Sequence, residues 1–425
     1  MVIGKRQIII IGVIVIFVIF LVIILIFGSQ PPSPSRITLT IWGIDPPANF
    51  YPLIQNYINI RQNVEIKYKE VDPLNYNQKV LDALASGEGP DIFMIRSKDL
   101  ILNTSKIYPV PQTQFTLVQL RNLFPQVVED DFVYQNNIYA LPLYIDTLAL
   151  FYNQDHFTRS QLVFPPKIWD EFLEYSQKLK VIDNSGKILK AGAAFGSSER
   201  NVNYATSIFK ILMKQVGIKI INEYNRFDFD TQSKGIDALN FYTSFSNSRS
   251  LNYTWPKDFP NSLDAFSSGD VSMIFAYQSD ISKIKNKAPY LNFRIAPMPQ
   301  AKGSEIKYSY ADYWGLTVSR QSKNPTWAWD FIINITTNES FAKSYMNLTQ
   351  KPPALLPLIE QTLNDVNLGV FSSQALTARS WQEKDSIKIN EILNNIIDGV
   401  VFGKFDSRYA IRFAEEQINQ VIRNY

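Results

Sequence analysis

The sequence predicts an α/β protein of two domains carried behind a single N-terminal transmembrane helix, and three observations lead there. Residues 8–27 form an unbroken apolar run. The chain after it starts β-α-β, with the hydrophobic period switching between two and about 3.6 residues. The remaining roughly 390 residues exceed one ordinary core and suit two domains of comparable size.

The apolar run holds only Ile, Val, Phe, Leu and Gly12. As a helix, its 20 residues would span roughly 30 Å of hydrocarbon. Lys5 and Arg6 precede it and the uncharged GSQPPSPS at 28–35 follows; positive flanks stay cytoplasmic. The expected arrangement is a cytoplasmic N-terminus at 1–7, an anchor at 8–27, a Pro/Ser linker at 28–35 and a folded part outside the cell from Arg36, in single-pass attachment to the cell membrane. A cleaved signal peptide is the rival reading, but its apolar core runs to about 7–15 residues and ends in small residues. A lipidated N-terminus needs a cysteine, and the chain has none.

Charge excludes other classes. Against 42 Lys and Arg stand 39 Asp and Glu, a net charge of +3 without basic runs or an acidic tail, so nothing points to nucleic acid. Without cysteine there is no disulfide, thiolate nucleophile or Cys-ligated zinc. The single histidine, His156, rules out an imidazole-rich metal site. It stands in YNQDHF with no Ser or Cys motif beside it, and reads as a strand-end residue rather than a catalytic base. No phosphate cradle, zincin or serine-hydrolase motif occurs. These residues give no expectation of a catalytic residue, cofactor or metal.

Along the chain, 37–42 (ITLTIW) reads as a strand. Phe50, Leu53, Ile54, Tyr57 and Ile58 fall at helical spacing, and Val64, Ile66 and Tyr68 alternate as a second strand. Residues 76–85 read as a helix stopped by Gly87, and 91–95 (DIFMI) as a buried strand after Gly89-Pro90. Further helices are expected at 169–180, 202–215, 235–246, 325–334, 386–400 and 408–422, and strands at 271–275, 293–296 and 315–318. Alternating strands and helices imply a largely parallel sheet covered on both faces.

Four segments in this order resemble the extracellular solute-binding protein family 1, the sugar-binding proteins of ABC importers that include maltose-binding proteins. They are LASGEGPDI after the strand that ends in Trp42; IYALPLYIDTLALFYN followed by PPKIWDEF; AFSSGDVSMI at 265–274; and APMP at 296–299 with WGLTVS at 314–319. Two departures stand out. Ile168 replaces a helix-capping Thr, a loss of about 1 kcal/mol, and 276–279 lacks the family's Asn-Gly. The resemblance implies a type II periplasmic-binding-protein fold, two α/β lobes around an interlobe cleft with a hinge. It places lobe 1 at 36–145 and 299–336 and lobe 2 at 146–298 and 337–425. Chain crossings are expected near 145–148, 296–299 and 335–338.

The resemblance also implies a small-molecule ligand, most simply a sugar, with ABC transporter permease subunits as partners and a monomeric receptor. A sugar site needs flat aromatics and a few fixed polar groups. Trp42 ends the first strand, at the cleft rim or in the core. Asp146 stands alone in an apolar run where a buried charge must find partners, either a ligand or the crossing itself; Tyr144 shares its turn. Arg96 ends the DIFMI strand, where open sheets place ligands. Tyr277 and Gln278 follow the AFSSGDVSMI strand, Tyr313 and Trp314 precede WGLTVS, Asn203 starts a helix, and Trp381 resembles a late stacking aromatic. Two other functions stay open: a sensory receptor using the same clamp, and a membrane-anchored glycoside hydrolase. The second needs two carboxylates about 5–9.5 Å apart, and only Asp146 is signposted.

Overall fold

The computed structural model describes residues 4–27, 36–218, 227–229, 233–381 and 383–423, and in the N-terminal helix the side chains of 10–23. That helix, Lys5–Phe27, covers the apolar run. Its described side chains are exposed and belong to neither core. Among the described residues no helix is long and apolar enough to cross a membrane. The expected linker at 28–35 lies outside the described residues.

The chain then lays down β1 (Ile37–Gly43), β2 (Val64–Glu70), β3 (Ile92–Arg96), β4 (Ile107–Tyr108), the short pair β5 (Val133–Tyr134) and β6 (Asn137–Ile138), and β7 (Leu141–Pro142). Between β1 and β2 the helix Pro47–Ile60 opens on a proline, whose missing N–H is no loss at a helix start, and buries Phe50, Leu53, Ile54 and Tyr57. The helix Tyr76–Ser86 buries Tyr76, Val80 and Leu84 and ends at Gly87, whose φ of 78° needs glycine. Next come β8 (Ala149–Asn153), β9 (Val181–Ile182), β10 (Ile188–Ala193), β11 (Val271–Ala276) and β12 (Phe293–Ala296). The path finishes through β13 (Ser309–Tyr310), β14 (Trp314–Ser319) and β15 (Ala378–Arg379).

Two sheets result. One runs β2-β1-β3-β14-β4 with β7 also on β14, the other β12-β8-β11-β10-β9. The expected parallel sheet is found only in part: β1 is parallel to β2 and β3, and β10 to β11, but β14 and β8 run antiparallel to their neighbours. The reason is the path. β8 and β14 each begin where the chain has just entered from the other lobe, so they start at the cleft, whereas β1, β3, β10 and β11 end there.

Each sheet has its own core. The first draws on 39–145 and 311–359 with Ala375 and Ala378, the second on 148–310, Phe371, Trp381 and 389–422. Two crossings therefore differ from the expected ones. Met298 is buried in the second core, and the chain passes at 309–311 instead of 296–299. The stretch 335–338 joins the helices Pro325–Thr337 and Glu339–Thr349. Both stay in lobe 1, because Phe331, Ile335, Phe341 and Tyr345 pack into its core; the last passage comes later, at 378–379.

The three passages lie edge to edge. Thr147 bridges Ala311, the Leu148 N–H donates to the Tyr310 carbonyl at 2.8 Å, and β13 pairs with β15. Buried Gln374 ties them together. Its Oε1 accepts from the Met298 N–H at 2.8 Å, its Nε2 donates to Thr147 Oγ1 at 3.0 Å and to the Leu148 carbonyl at 3.2 Å, and its own carbonyl accepts from Ser309 Oγ. In lobe 2 the helix Trp169–Lys178 can approach β10 because residue 192 is glycine; a Cβ there would come 1.7 Å from the Ser176 carbonyl oxygen. Its start at Ile168 has no side-chain cap, although Glu171 accepts the Lys167 N–H at 2.7 Å.

Gln374→Ala orphans several buried groups at once, and urea unfolding of this variant should show a loss of about 2–4 kcal/mol. A loss below about 0.5 kcal/mol would mean that the hinge does not depend on this side chain.

Candidate functional site

The ends of β1 and β3 in lobe 1 face the ends of β10 and β11 in lobe 2, with the crossings as the floor. Among the described residues, hydrogen bonds across the lobes include Gln278 Nε2 to the Gln350 carbonyl at 2.6 Å and Ser386 Oγ to Asp99 Oδ1 at 2.7 Å.

On the lobe 1 side, Arg96 and Trp314 pair across β3 and β14, and the guanidinium carbon lies 5.5 Å from the indole centroid. Arg96 Nε stands 3.5 Å from Asp312 Oδ1, and Lys98 Nζ 3.1 Å from Asp312 Oδ2. Burial alone would raise the Asp312 carboxyl, but the two cations carry it below the usual carboxylate range. Asp312 in turn raises Arg96. A second cluster surrounds Asp45, two residues past β1. Tyr345 donates to its Oδ2 at 2.7 Å and Lys351 to its Oδ1 at 2.5 Å. Lys351 Nζ also lies 4.2 Å from the centre of the Tyr144 ring, a cation–π contact that holds the ring in place.

On the lobe 2 side, the Tyr277 and Tyr204 rings meet edge to face at 4.7 Å. Tyr204 has φ of 63°, unusual for a bulky side chain. Its hydroxyl donates to Asp280 Oδ2 at 2.8 Å, the oxygen that also accepts the Tyr277 N–H. Strained residues held in this way concentrate at functional sites. Behind this wall Lys210 donates to buried Glu383 and, at 2.7 Å, to Asn390 Oδ1. Burial lowers the Lys210 amine and raises the Glu383 carboxyl, each toward its neutral form.

Of the residues singled out in the sequence, Arg96, Tyr144, Tyr277, Gln278 and Trp314 come together here. Trp42 is half-buried at the end of β1, with Lys69 Nζ 4.1 Å from its ring centroid. Asp146 is buried, and its two carboxylate oxygens accept the N–H groups of Gln278 at 2.9 Å and Ser279 at 3.1 Å. It pins the end of β11 to the first crossing. Burial pushes its carboxyl up to about 7, against these two bonds. Asn203 accepts from Ser262 Oγ at 2.8 Å and from the Leu263 N–H, which shapes lobe 2 rather than the cleft. Tyr313 lies wholly in the lobe 1 core against Phe132, and Trp381 in lobe 2 against Phe227 and Phe229. Their packing partners, distant in sequence, draw both rings away from the cleft. His156 Nδ1 lies 2.9 Å from Ser272 Oγ, which is fully buried, so this pair presents no nucleophile. Sequence reasoning missed Asp45, Lys98, Asp312 and Lys351, whereas Tyr204 is expected with Asn203 at the start of a helix near the cleft. Asp45 had a signal, an acid just past a strand end.

A two-lobed fold with its polar and aromatic groups gathered between the lobes defines a solute-binding clamp. The chain matches the family of bacterial extracellular solute-binding proteins over residues 56–360, and it belongs to that family. It is 22% identical over 370 residues to a Brucella abortus (strain 2308) protein named as a binding protein, covering 81% of this chain and 83% of that one. It is 23% identical over 326 residues to the maltotriose-binding protein of Pyrococcus abyssi (strain GE5 / Orsay), covering 74% and 64%. The structure of the cyclic α-maltosyl-1,6-maltose binding protein from Arthrobacter globiformis superposes with a TM-score of 0.78 at 16% identity, over 92% of this chain and all of that one. The chain is therefore a binding protein and not an enzyme, and its folded part is extracytoplasmic.

Behind the third crossing, Asp131 is fully buried, bonded to Ser380 Oγ and with Oδ2 unpartnered. Burial pushes its carboxyl up to about 7, above roughly 3.9 in the unfolded chain. Its contribution to stability is thus complete below about pH 4 and is lost as pH rises through about 7. Asp131→Asn removes this titration, so its stability relative to the parent protein should improve from pH 5 to about pH 7 and level off by pH 8 in urea titrations. A pH-independent difference would show that Asp131 does not titrate in that window.

Proposed function

We propose that the chain is the substrate-binding receptor of an ABC importer for carbohydrates, with the solute held between the lobes and the folded part tethered to the outer face of the cell membrane by its N-terminal helix. The observation that carries this reading is the cleft itself. The aromatic rings of Tyr144, Tyr277 and Trp314 beside the polar groups of Arg96 and Gln278, with Trp42 at the end of β1, support a sugar ligand, whose apolar faces and hydroxyls require this combination. The Pyrococcus abyssi relative, named for maltotriose, supports the choice of ligand class.

Capture follows from the hinge. A solute that touches both lobes binds the closed arrangement more tightly than the open one, and this difference alone moves the population. Gln278 takes part in closure directly, since its side chain already reaches the Gln350 carbonyl of the opposite lobe. Asp146 positions the turn after β11, Asn203 shapes lobe 2, and Tyr313 and Trp381 support the lobes from within. The receptor acts as a monomer and hands its solute to permease subunits.

Both cores, among the described residues, draw on residues 39–422, so residues 36–425 are the fragment to test. Isothermal titration of this unit with maltotriose and a panel of other oligosaccharides should give saturable binding of at least one. Arg96→Ala and Trp42→Ala should each weaken it about 10- to 100-fold, or about 1.4–2.8 kcal/mol. If no carbohydrate binds while amino acids or polyols do, the ligand class is wrong.

The anchor has its own test. The lysine and arginine before a run of 20 apolar residues support an uncleaved helix with its N-terminus inside. The mature protein should keep Met1 and remain with membranes after high-salt washing; recovery in the wash with a new N-terminus near residue 28 would replace the anchor by a cleaved signal.

A further inference from the structure

Arg96 stands at the cleft with its guanidinium unbonded. Among the described residues no protein oxygen accepts a hydrogen bond from it: Nε is buried without an acceptor, 3.5 Å from Asp312 Oδ1, while the side chain as a whole is 40% exposed and packs beside the Trp314 ring. Asp312 is matched elsewhere. Its Oδ2 accepts from Lys98 Nζ at 3.1 Å, and that ammonium is itself almost buried, so one carboxylate faces two cations. The other acids around the cleft are already engaged. Asp99 accepts from Ser386 Oγ at 2.7 Å and from Asn77 Nδ2 at 3.4 Å. Asp45, Glu383 and Asp280 are paired with Lys351, Lys210 and Lys283, and Asp146 accepts two N–H groups. A guanidinium that loses its water to a bound solute without gaining an acceptor is costly.

We infer that the solute is an acidic sugar of the hexuronic acid class, with its carboxylate on the Arg96 fork. The inference rests on the carbohydrate reading of this cleft and narrows it. A guanidinium presents its N–H groups in a plane that matches the two oxygens of a carboxylate, and such a pair is stronger than a bond between neutral groups. Two N–H groups serve the carboxylate, and others remain for a ring hydroxyl. A neutral sugar offers hydroxyls alone and leaves the excess cation of Arg96, Lys98 and Asp312 without a counter-charge once water is excluded. Trp314 lies beside the fork, where the apolar face of the same sugar ring can stack.

Isothermal titration of residues 36–425 at neutral pH tests this with galacturonate, glucuronate and their oligosaccharides, each beside its methyl ester and its neutral parent sugar. The tightest binder should carry a carboxylate. Its methyl ester, which keeps the ring and removes the charge, should bind about tenfold or more weakly, and the affinity of the acid should fall as salt is raised. Arg96→Gln should weaken the acid about tenfold or more and leave the ester within about threefold, while Arg96→Lys, which keeps the charge without the fork, should recover only part of the loss. The comparison of acid with ester uses the parent protein, so it stands even if a variant misfolds. A neutral sugar or an ester that binds as tightly as the acid, or an acid whose affinity Arg96→Gln leaves unchanged, would overturn the inference and leave the carbohydrate reading standing. Binding of amino acids or polyols with no sugar of either kind would overturn both.

Discussion

Three passages of the chain between the lobes run side by side, hydrogen-bonded through Thr147, Leu148, Tyr310, Ala311 and Arg379, and the rest of the molecule is arranged around them. A single covalent link would let the lobes twist freely, whereas three adjacent strands restrict the motion to bending about their common line. Gln374, a few residues before the third passage, fixes the spacing of the other two, since its side chain reaches Thr147 on the first and its carbonyl accepts from Ser309 on the second. The direction of every central strand follows as well. Strands that run on from a passage start at the cleft, while those in the β-α-β runs end there. The mixed sheets are therefore a consequence of the hinge.

The same constraint gathers the polar groups. Strand ends leave backbone groups and side chains without sheet partners, and in both lobes these ends meet at the crossings. Asp312 lies in the second passage and draws Arg96 and Lys98 toward it. Asp146 lies in the first and fixes the turn after β11. Asp131 meets Ser380 just past the third. Buried carboxylates at a hinge are costly unless paired. Asp312 has two cations and stays ionised, while Asp131 and Asp146 have no such cations and are shifted toward the neutral form.

Much of the fold was legible in the sequence because its elements are strongly periodic. The helix expected at 386–400 is found at Ser386–Val401, and the strand at 293–296 is β12 itself. The hinge was harder. The prolines of APMP suggested a passage, but Met298 packs into lobe 2; the actual passage, SYA at 309–311, carries no compositional mark. Residues 335–338 interrupt two helices whose destination is set by contacts with Pro47–Ile60, nearly 300 positions away in the chain. Distance along the chain hid most of the site too. Asp45 and Lys351 are 306 positions apart, and neither suggests the other. Tyr313 and Trp381 had the right chemistry for a ligand, yet the direction of an aromatic side chain depends on packing that a single sequence does not reveal.

The most direct test is a crystal structure of residues 36–425 grown with an oligosaccharide that binds in titration. The account predicts one sugar chain between the lobes, with a ring stacked on Trp42, Trp314 or Tyr277, a hydroxyl bonded to Arg96, and contacts to both lobes. A sugar bound to one lobe alone, or seated away from the three crossings, would contradict it.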